Sequence, residues 1–258
     1  MCGLPLWTNG CNGLGGESAV SKPMSSPRSF LRMEAQPSED SCGPTCLRAV
    51  YGYHGHEVAL AELIATVPTV PGGGTLAVLL GIDALRRGFG ALLHTCNLRV
   101  LDPTWFPAKR EALLARIVAS LAVRRHRKER QELTALREFL ELRGELRMEP
   151  LTRAVLRKHL IDRRPVITGL SATFLYRDRR VNPETNEYDD LGGQPQGHFV
   201  VLSDYDPALK AVTVHDPYPH SPFKDPHRYL VHIDRLINSI LLGVLTFDAN
   251  LLVIEPSR

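Results

Sequence analysis

The chain has 258 residues with 43% apolar and 23% charged side chains, enough for a substantial core and ordinary for a globular protein. Its formal net charge of +3 is too small to argue for nucleic acid or a membrane surface. Five cysteines without framework spacing exclude a disulfide scaffold and read as free thiols; with no apolar run of spanning length and no secretory pattern at the start, the cytoplasm is the expected compartment.

Residues 1–30 read as a disordered arm, Gly-rich and then Ser/Pro-rich, without apolar periodicity. Met1-Cys2-Gly3 matches the start of N-terminal-nucleophile amidotransferases, but three residues carry little, and no hydrophobic strand follows. Next comes Gln36-Pro-Ser-Glu-Asp-Ser-Cys42-Gly-Pro-Thr-Cys46, a polar loop running into a helix, with Pro44 suited to its first turn. Cys46, Leu47, Val50, Tyr51 and His54 recur at helical spacing and predict one buried face. Val58 to Val67 predicts a short helix ended by Pro68, Pro71–Gly74 a flexible connector, and Thr75 to Arg87 a second helix closed by Gly88. Phe89 to Cys96 reads as a strand.

Residues 107–144 lack Gly until Gly144 and place Leu113, Leu114, Ile117 and Leu121, then Leu133, Leu136 and Leu140, at helical spacing. One long helix or a hairpin is expected, containing the basic run Arg124 to Arg130. That run reads as a solvated face or hairpin turn, or else as a docking patch for an acidic partner; the lack of interleaved aromatics argues against nucleic acid. Leu151 to Ile161 predicts a helix, Val166 to Leu170 a buried strand, and Ser171 to Tyr176 its continuation or a second strand. Arg177 to Gln196 is a polar loop of about twenty residues, a length that suggests a task such as covering a site.

Gly197 to Leu202 and Ala211 to Asp216 predict two strands joined by the turn residues Asp204 to Lys210, an antiparallel hairpin. If Ser203 faces Ala211, His198 lies directly across from Asp216 on one face. Leu230 to Ile233 predicts a strand, Ile233 to Leu242 a helix and Asn250 to Ile254 a closing strand, giving an α+β fold. A thiol at a helix N-terminus meets unpaired N–H groups and the positive dipole end, which favour thiolate. An imidazole oriented by a carboxylate is the base such a nucleophile needs. Cys42, His198 and Asp216 therefore form the candidate catalytic set.

Gln36 with Cys42-Gly43, then Gly197-His198-Phe199-Val200-Val201-Leu202, then Val212-Thr213-Val214-His215-Asp216-Pro217, resembles cysteine peptidase family thirty-nine, the papain-like bacteriocin-leader-processing peptidases. The resemblance implies a papain-like domain over 31–258, its N-terminal helices carrying the nucleophile against an antiparallel sheet carrying His198 and Asp216. It implies nucleophile Cys42, general base and acid His198, orienting carboxylate Asp216 and, as oxyanion donor, Gln36, with a peptide or protein as substrate and no cofactor. The segment 107–144 then looks like a helical insertion. No phosphate-binding Gly-x-x-x-x-Gly-Lys-Ser/Thr is present, so the chain reads as stand-alone, without the transporter and ATPase of those exporters.

The same residues would serve a thiol acyltransferase of the transglutaminase or phytochelatin-synthase kind. A non-catalytic papain-like peptide-binding module is a further alternative, disfavoured because all four site positions hold competent residues. A zinc site from Cys42, Cys46, His54 and His56 has the wrong layout, since zinc ribbons use tight Cys pairs on loops. His215, His220 and His227 read as parts of a surface loop.

Overall fold

The computed structural model describes residues 30–70, 74–246 and 249–257. The arm expected over 1–30, apart from Phe30, the Met1-Cys2-Gly3 start and most of the Pro71–Gly74 connector lie outside these residues. A 3₁₀ turn, Glu39–Ser41, runs straight into α1 (Cys42–Tyr53), followed by α2 (Leu60–Thr66), α3 (Ala77–Arg86) and β1 (Phe89–Thr95). The segment 107–144 is a helical hairpin, α4 (Arg110–Val123) and α5 (Arg127–Glu141), leading to β2 (Glu145–Arg147). Then come α6 (Arg153–Ile161), β3 (Val166–Ser171), α7 (Ala172–Tyr176), β4 (Gly197–Asp206), β5 (Ala211–His215), β6 (Arg228–His232), α8 (Ile233–Leu242) and β7 (Asn250–Pro256).

The strands form one seven-stranded sheet in the order β2-β1-β7-β3-β4-β5-β6. Every pairing is antiparallel except β1 with β2. Alternation along the strands sorts the core into two layers. Ile167, Phe199, Val201, Leu252 and Ile254 pack with residues of α1, α3 and α5. Val200, Leu202, Val212, Val214 and Val253 pack with residues of α6 and α8. The sheet is thus covered on both faces, which explains why its central strands are apolar throughout. The expected α+β arrangement, helices bearing Cys42 packed on a mainly antiparallel sheet bearing His198 and Asp216, is the one observed.

The helical hairpin is fastened by α5, whose Leu133, Leu136, Phe139 and Leu140 are buried. At roughly 1.5–3 kcal/mol for each such side chain, these contacts outweigh anything the charged outer face contributes. Two members of the basic run, Arg124 and Arg130, help to close the turn. Arg130 donates to the carbonyls of Leu121 and Arg124 at the α4 C-terminus, and Arg124 pairs with Glu129 at 3.3 Å.

Three expectations are corrected. Ser171 to Tyr176 is not a strand beyond β3: Ser171 Oγ accepts from Phe174 N–H and caps α7. Thr75 does not cap α3, because its hydroxyl donates to Pro68 O at 2.9 Å and the helix begins after Leu76. His215 belongs to no surface loop; it is buried in β5 with Nε2 2.9 Å from Ser203 Oγ.

Candidate active site

Cys42 is the first residue of α1, and the turn before it is locked by side chains. Ser38 N–H donates to Ser41 Oγ at 3.0 Å, and that hydroxyl donates back to Ser38 O at 2.7 Å. Gly43 is demanded by packing, since a Cβ there would lie 2.5 Å from Thr75 Cγ2. Glycine lets the helix start sit directly on Thr75 and Leu80. One turn on, the Cys46 thiol donates to Phe199 O at 3.3 Å, pinning α1 to the strand residue after His198. Burial, then the charges of Cys42 and Asp216, push the Cys46 thiol well up, as suits a core residue.

The hairpin register differs from the expected one. Val201 faces His215 and Leu202 faces Val214, with a bulge before Tyr205 and Val212 pair. The turn lies beyond Asp206 because β4 is longer than its apolar run suggested. His198 is therefore not directly opposite Asp216. The offset is two residues, however, and a two-residue shift keeps both side chains on one face whereas a one-residue slip would not. They remain diagonal neighbours, with His198 Nε2 2.8 Å from Asp216 Oδ1. With Nε2 held by the carboxylate, Nδ1 is the ring nitrogen left for Cys42, which lies near enough to push the imidazole up.

Asp216 is fully enclosed, while His198 and Cys42 each retain 7% exposure. Oδ1 accepts from His198 and from Tyr218 N–H at 2.9 Å. Oδ2 accepts from the hydroxyls of Tyr176, at 2.7 Å, and Tyr229. Burial by itself would raise this carboxyl; the His198 charge and these hydrogen bonds outweigh it and hold Asp216 below its usual range. Burial would likewise lower His198, but the Asp216 charge and hydrogen bond, with those of Cys42, push the imidazole up to about 10. Both hydroxyls lose acidity through burial and the adjacent Asp216 charge, so they act as fixed donors. Tyr176, Tyr218 and Tyr229 went unread in the sequence, where only the alternation of β6, with Tyr229 inward, could have flagged one of them.

Gln36 is tied to the site by its backbone, its N–H donating to Pro217 O at 2.8 Å, one residue from Asp216. Its Nε2 donates to Ser38 O at 2.9 Å and approaches Glu39 O at 3.4 Å, while Oε1 is buried without a partner. The amide therefore braces the turn before Cys42, with its second N–H only weakly engaged. The alternative metal ligands are otherwise occupied: Cys46 bonds Phe199 O, and His54 Nε2 lies 2.9 Å from Ile254 O. Among the described residues no group of three or more His, Cys, Asp or Glu could hold a metal.

The excursion 177–196 is internally ordered. Val181 and Gln194 exchange backbone hydrogen bonds, Asp189 N–H donates to Arg180 O, and the Asp189 carboxylate accepts from the N–H groups of Leu191 and Gly192. Its return is tied to α7 by Ala172 N–H to Gln196 O and by Gln196 N–H to Thr173 Oγ1, both 2.9 Å. Tyr188 and Asp178 lie close enough to Tyr218 to interact electrostatically, which brings the excursion beside the site. No helix among the described residues is long and apolar enough to cross a membrane.

Residues 142–229 match the Peptidase_C39 like family, a stretch that holds His198 and Asp216 and begins after Cys42. The resemblance read from the sequence is thus met independently over that stretch. No curated protein matches the chain. Similar solved structures include the peptidase domain of Streptococcus ComA, a bi-functional ABC transporter involved in a quorum-sensing pathway; identity is 14% and TM-score 0.41, over 88% of this chain and 100% of that one. A putative C39-like peptidase from Bacillus anthracis aligns at 15% identity and TM-score 0.47, over 88% of this chain and 96% of that one.

Proposed function

We propose that this C39-like chain is a cysteine peptidase-type hydrolase that cleaves a peptide or isopeptide bond through an acyl-enzyme on Cys42. The observation that carries the reading is the His198 ring, bonded at Nε2 to a buried carboxylate and near enough to Cys42 for that side chain to push the imidazole up. In the first half-reaction, with the proton held on His198, the Cys42 sulfur attacks the scissile carbonyl. His198 then protonates the departing amine as the thioester forms. In the second, His198 takes a proton from water, whose oxygen displaces the sulfur and releases the acid. Asp216 fixes the ring tautomer and steadies the imidazolium throughout.

For the developing oxyanion we assign the second N–H of Gln36, with the backbone N–H at the start of α1 as its companion. Of the two contacts that hold Gln36 Nε2, the one with Glu39 O, at 3.4 Å, is the weaker. Iodoacetamide labelling followed by peptide mass spectrometry tests the assignment. Cys42 is expected to react faster than Cys46 and Cys96, since burial raises both of those thiols. Labelling of Cys42 no faster than these two would turn the reading towards a binding module. A trapped acyl-enzyme discharged by an added amine rather than by water would turn it towards acyl transfer.

A further inference from the structure

The short helix α7 is exposed to two environments. Tyr176 reaches Asp216, whereas Phe174 and the residue just after the helix, Arg177, face a cavity of about 490 Å³. Across that cavity stand Arg235, Asn238 and Leu242 of α8, with Leu245 beyond them. Its edge at Ser171 is paired with Gly197, and the next ladder pair is Leu170 with His198. The cavity therefore opens one residue along the sheet from the imidazole.

Its charge is the unusual feature. Arg177 and Arg235 are near enough for each to act on the other, and among the described residues neither has a carboxylate partner. Asp234, the carboxylate next in sequence to Arg235, is taken by Arg153 and His232. Arg235 donates to Leu175 O through Nη2, while its Nε is buried with no partner. Two guanidinium groups brought together without a counter-ion destabilise the empty protein, through mutual repulsion and through the unmet N–H. An anion seated between them reverses both costs, and the planar guanidinium matches a carboxylate best. Phe174, Leu242 and Leu245 supply an apolar wall, and the volume lies in the range of small-ligand sites.

We propose that this cavity is a substrate subsite that takes a peptide carboxylate adjoining an apolar side chain, held between Arg177 and Arg235. The proposal rests on the hydrolase reading for the identity of the ligand as a peptide. The carboxylate can belong to an acidic side chain or to a chain terminus, and the geometry at the two arginines is the same for either. Because Leu175 and Tyr176 lie on α7 itself, occupancy of the subsite bears on the helix that holds Asp216.

Binding is measured by NMR on the isotope-labelled Cys42→Ala protein, with three probes: acetyl-Leu-Glu-amide, acetyl-Ala-Leu with a free carboxyl group, and acetyl-Leu-Gln-amide. At least one carboxylate probe should bind about tenfold more tightly than the glutamine probe, a difference typical of a paired charge. The shifts should centre on 171–177 and 235–245. Arg177→Asn, which suits the positive φ of 58° at that position, and Arg235→Met, which keeps an apolar stem, should each abolish most of that preference. The relative affinity of the two carboxylate probes identifies the source. Equal binding of the glutamine probe, or a preference that survives both substitutions, overturns the proposal. Because the thiol is absent from this experiment, its failure is separate from failure of the Cys42 labelling test.

Discussion

Asp216→Asn is the sharpest probe of the site, because it keeps the shape of the side chain and removes only its charge. Asparagine Oδ1 can still accept from His198, and the Tyr176 and Tyr229 hydroxyls can turn to meet the amide. What is lost is the attraction between imidazolium and carboxylate, groups whose nearest atoms are 2.8 Å apart. At an effective dielectric near 20 and a charge separation near 4 Å, that attraction is about 4 kcal/mol, about a thousandfold in proton affinity. His198, at about 10 in the native protein, should then titrate near 7 or below, because burial still opposes its charge. Titration of the His198 Cε1–H signal by NMR measures this directly. Stability moves with it. An imidazole raised above its unfolded value stabilises the fold fully below about pH 6.5, and that stabilisation is lost as pH rises through about 10. Urea unfolding of the native protein should therefore weaken between pH 6.5 and 10, and the variant should show much less of that slope. A native His198 titrating near its ordinary value, or one unmoved by the substitution, would refute the reasoning.

Two further outcomes follow from packing and burial. Gly43→Ala should destabilise the protein by about 1–3 kcal/mol in urea and slow Cys42 alkylation, because the new methyl would meet Thr75 Cγ2 at 2.5 Å and Thr75 is held by Pro68 O. Thr75→Ser in the same protein should restore much of both losses, and no rescue would mean the clash is relieved elsewhere. Glu132, buried on α5, is pushed up to about 7 by burial, only partly offset by its hydrogen bond from Asn97 and the Arg99 charge. A carboxyl raised in the folded state destabilises as pH rises from about 4.5 through 7, so Glu132→Gln should add on the order of 2 kcal/mol at pH 8 and nothing near pH 4. A gain equal at both pH values would show that ionisation is not the cause.

Periodicity was enough for α1, the α4–α5 hairpin, α6 and α8, which carry apolar residues at helical spacing, and the central strands showed instead as short apolar runs buried on both faces. The site residues Cys42 and His198 could be found because their positions, a helix start and a strand start, are local properties. Their partner Asp216 was reached through a register that was wrong by two residues, and the reading survived because an even shift preserves the face. The misplaced turn alone puts the register off by three at Asp206 and Ala211, and the bulge between Leu202 and Tyr205, which has no signature in the apolar pattern, brings it to two. The Ser171 to Tyr176 segment went astray for a different reason. Thr, Phe and Tyr suit a strand, and the Ser171 cap together with tertiary bonds to Ala172, Thr173, Leu175 and Tyr176 holds it helical instead. Tyr176 escaped because its hydroxyl finds Asp216 from a separate helix 40 residues away, where sequence spacing carries no information; Tyr229, on the strand paired with β5, showed only as an inward position of β6. The short strand β2 escaped because three residues set no period.

The position of β7 has a consequence for how the site comes into being. Residues 250–256 lie between β1 and β3 and, among the described residues, are the strand that joins the β2-β1 pair to the four strands that include His198 within the sheet. During synthesis the thiol of Cys42 emerges early and its base much later, yet neither half of the sheet can be joined until those residues leave the ribosome. The two flanks would wait apart, each with an unpaired strand edge, and the final strand closes the sheet like a keystone. A chain interrupted before residue 250 would thus carry every residue of the candidate site on a sheet still open at its centre.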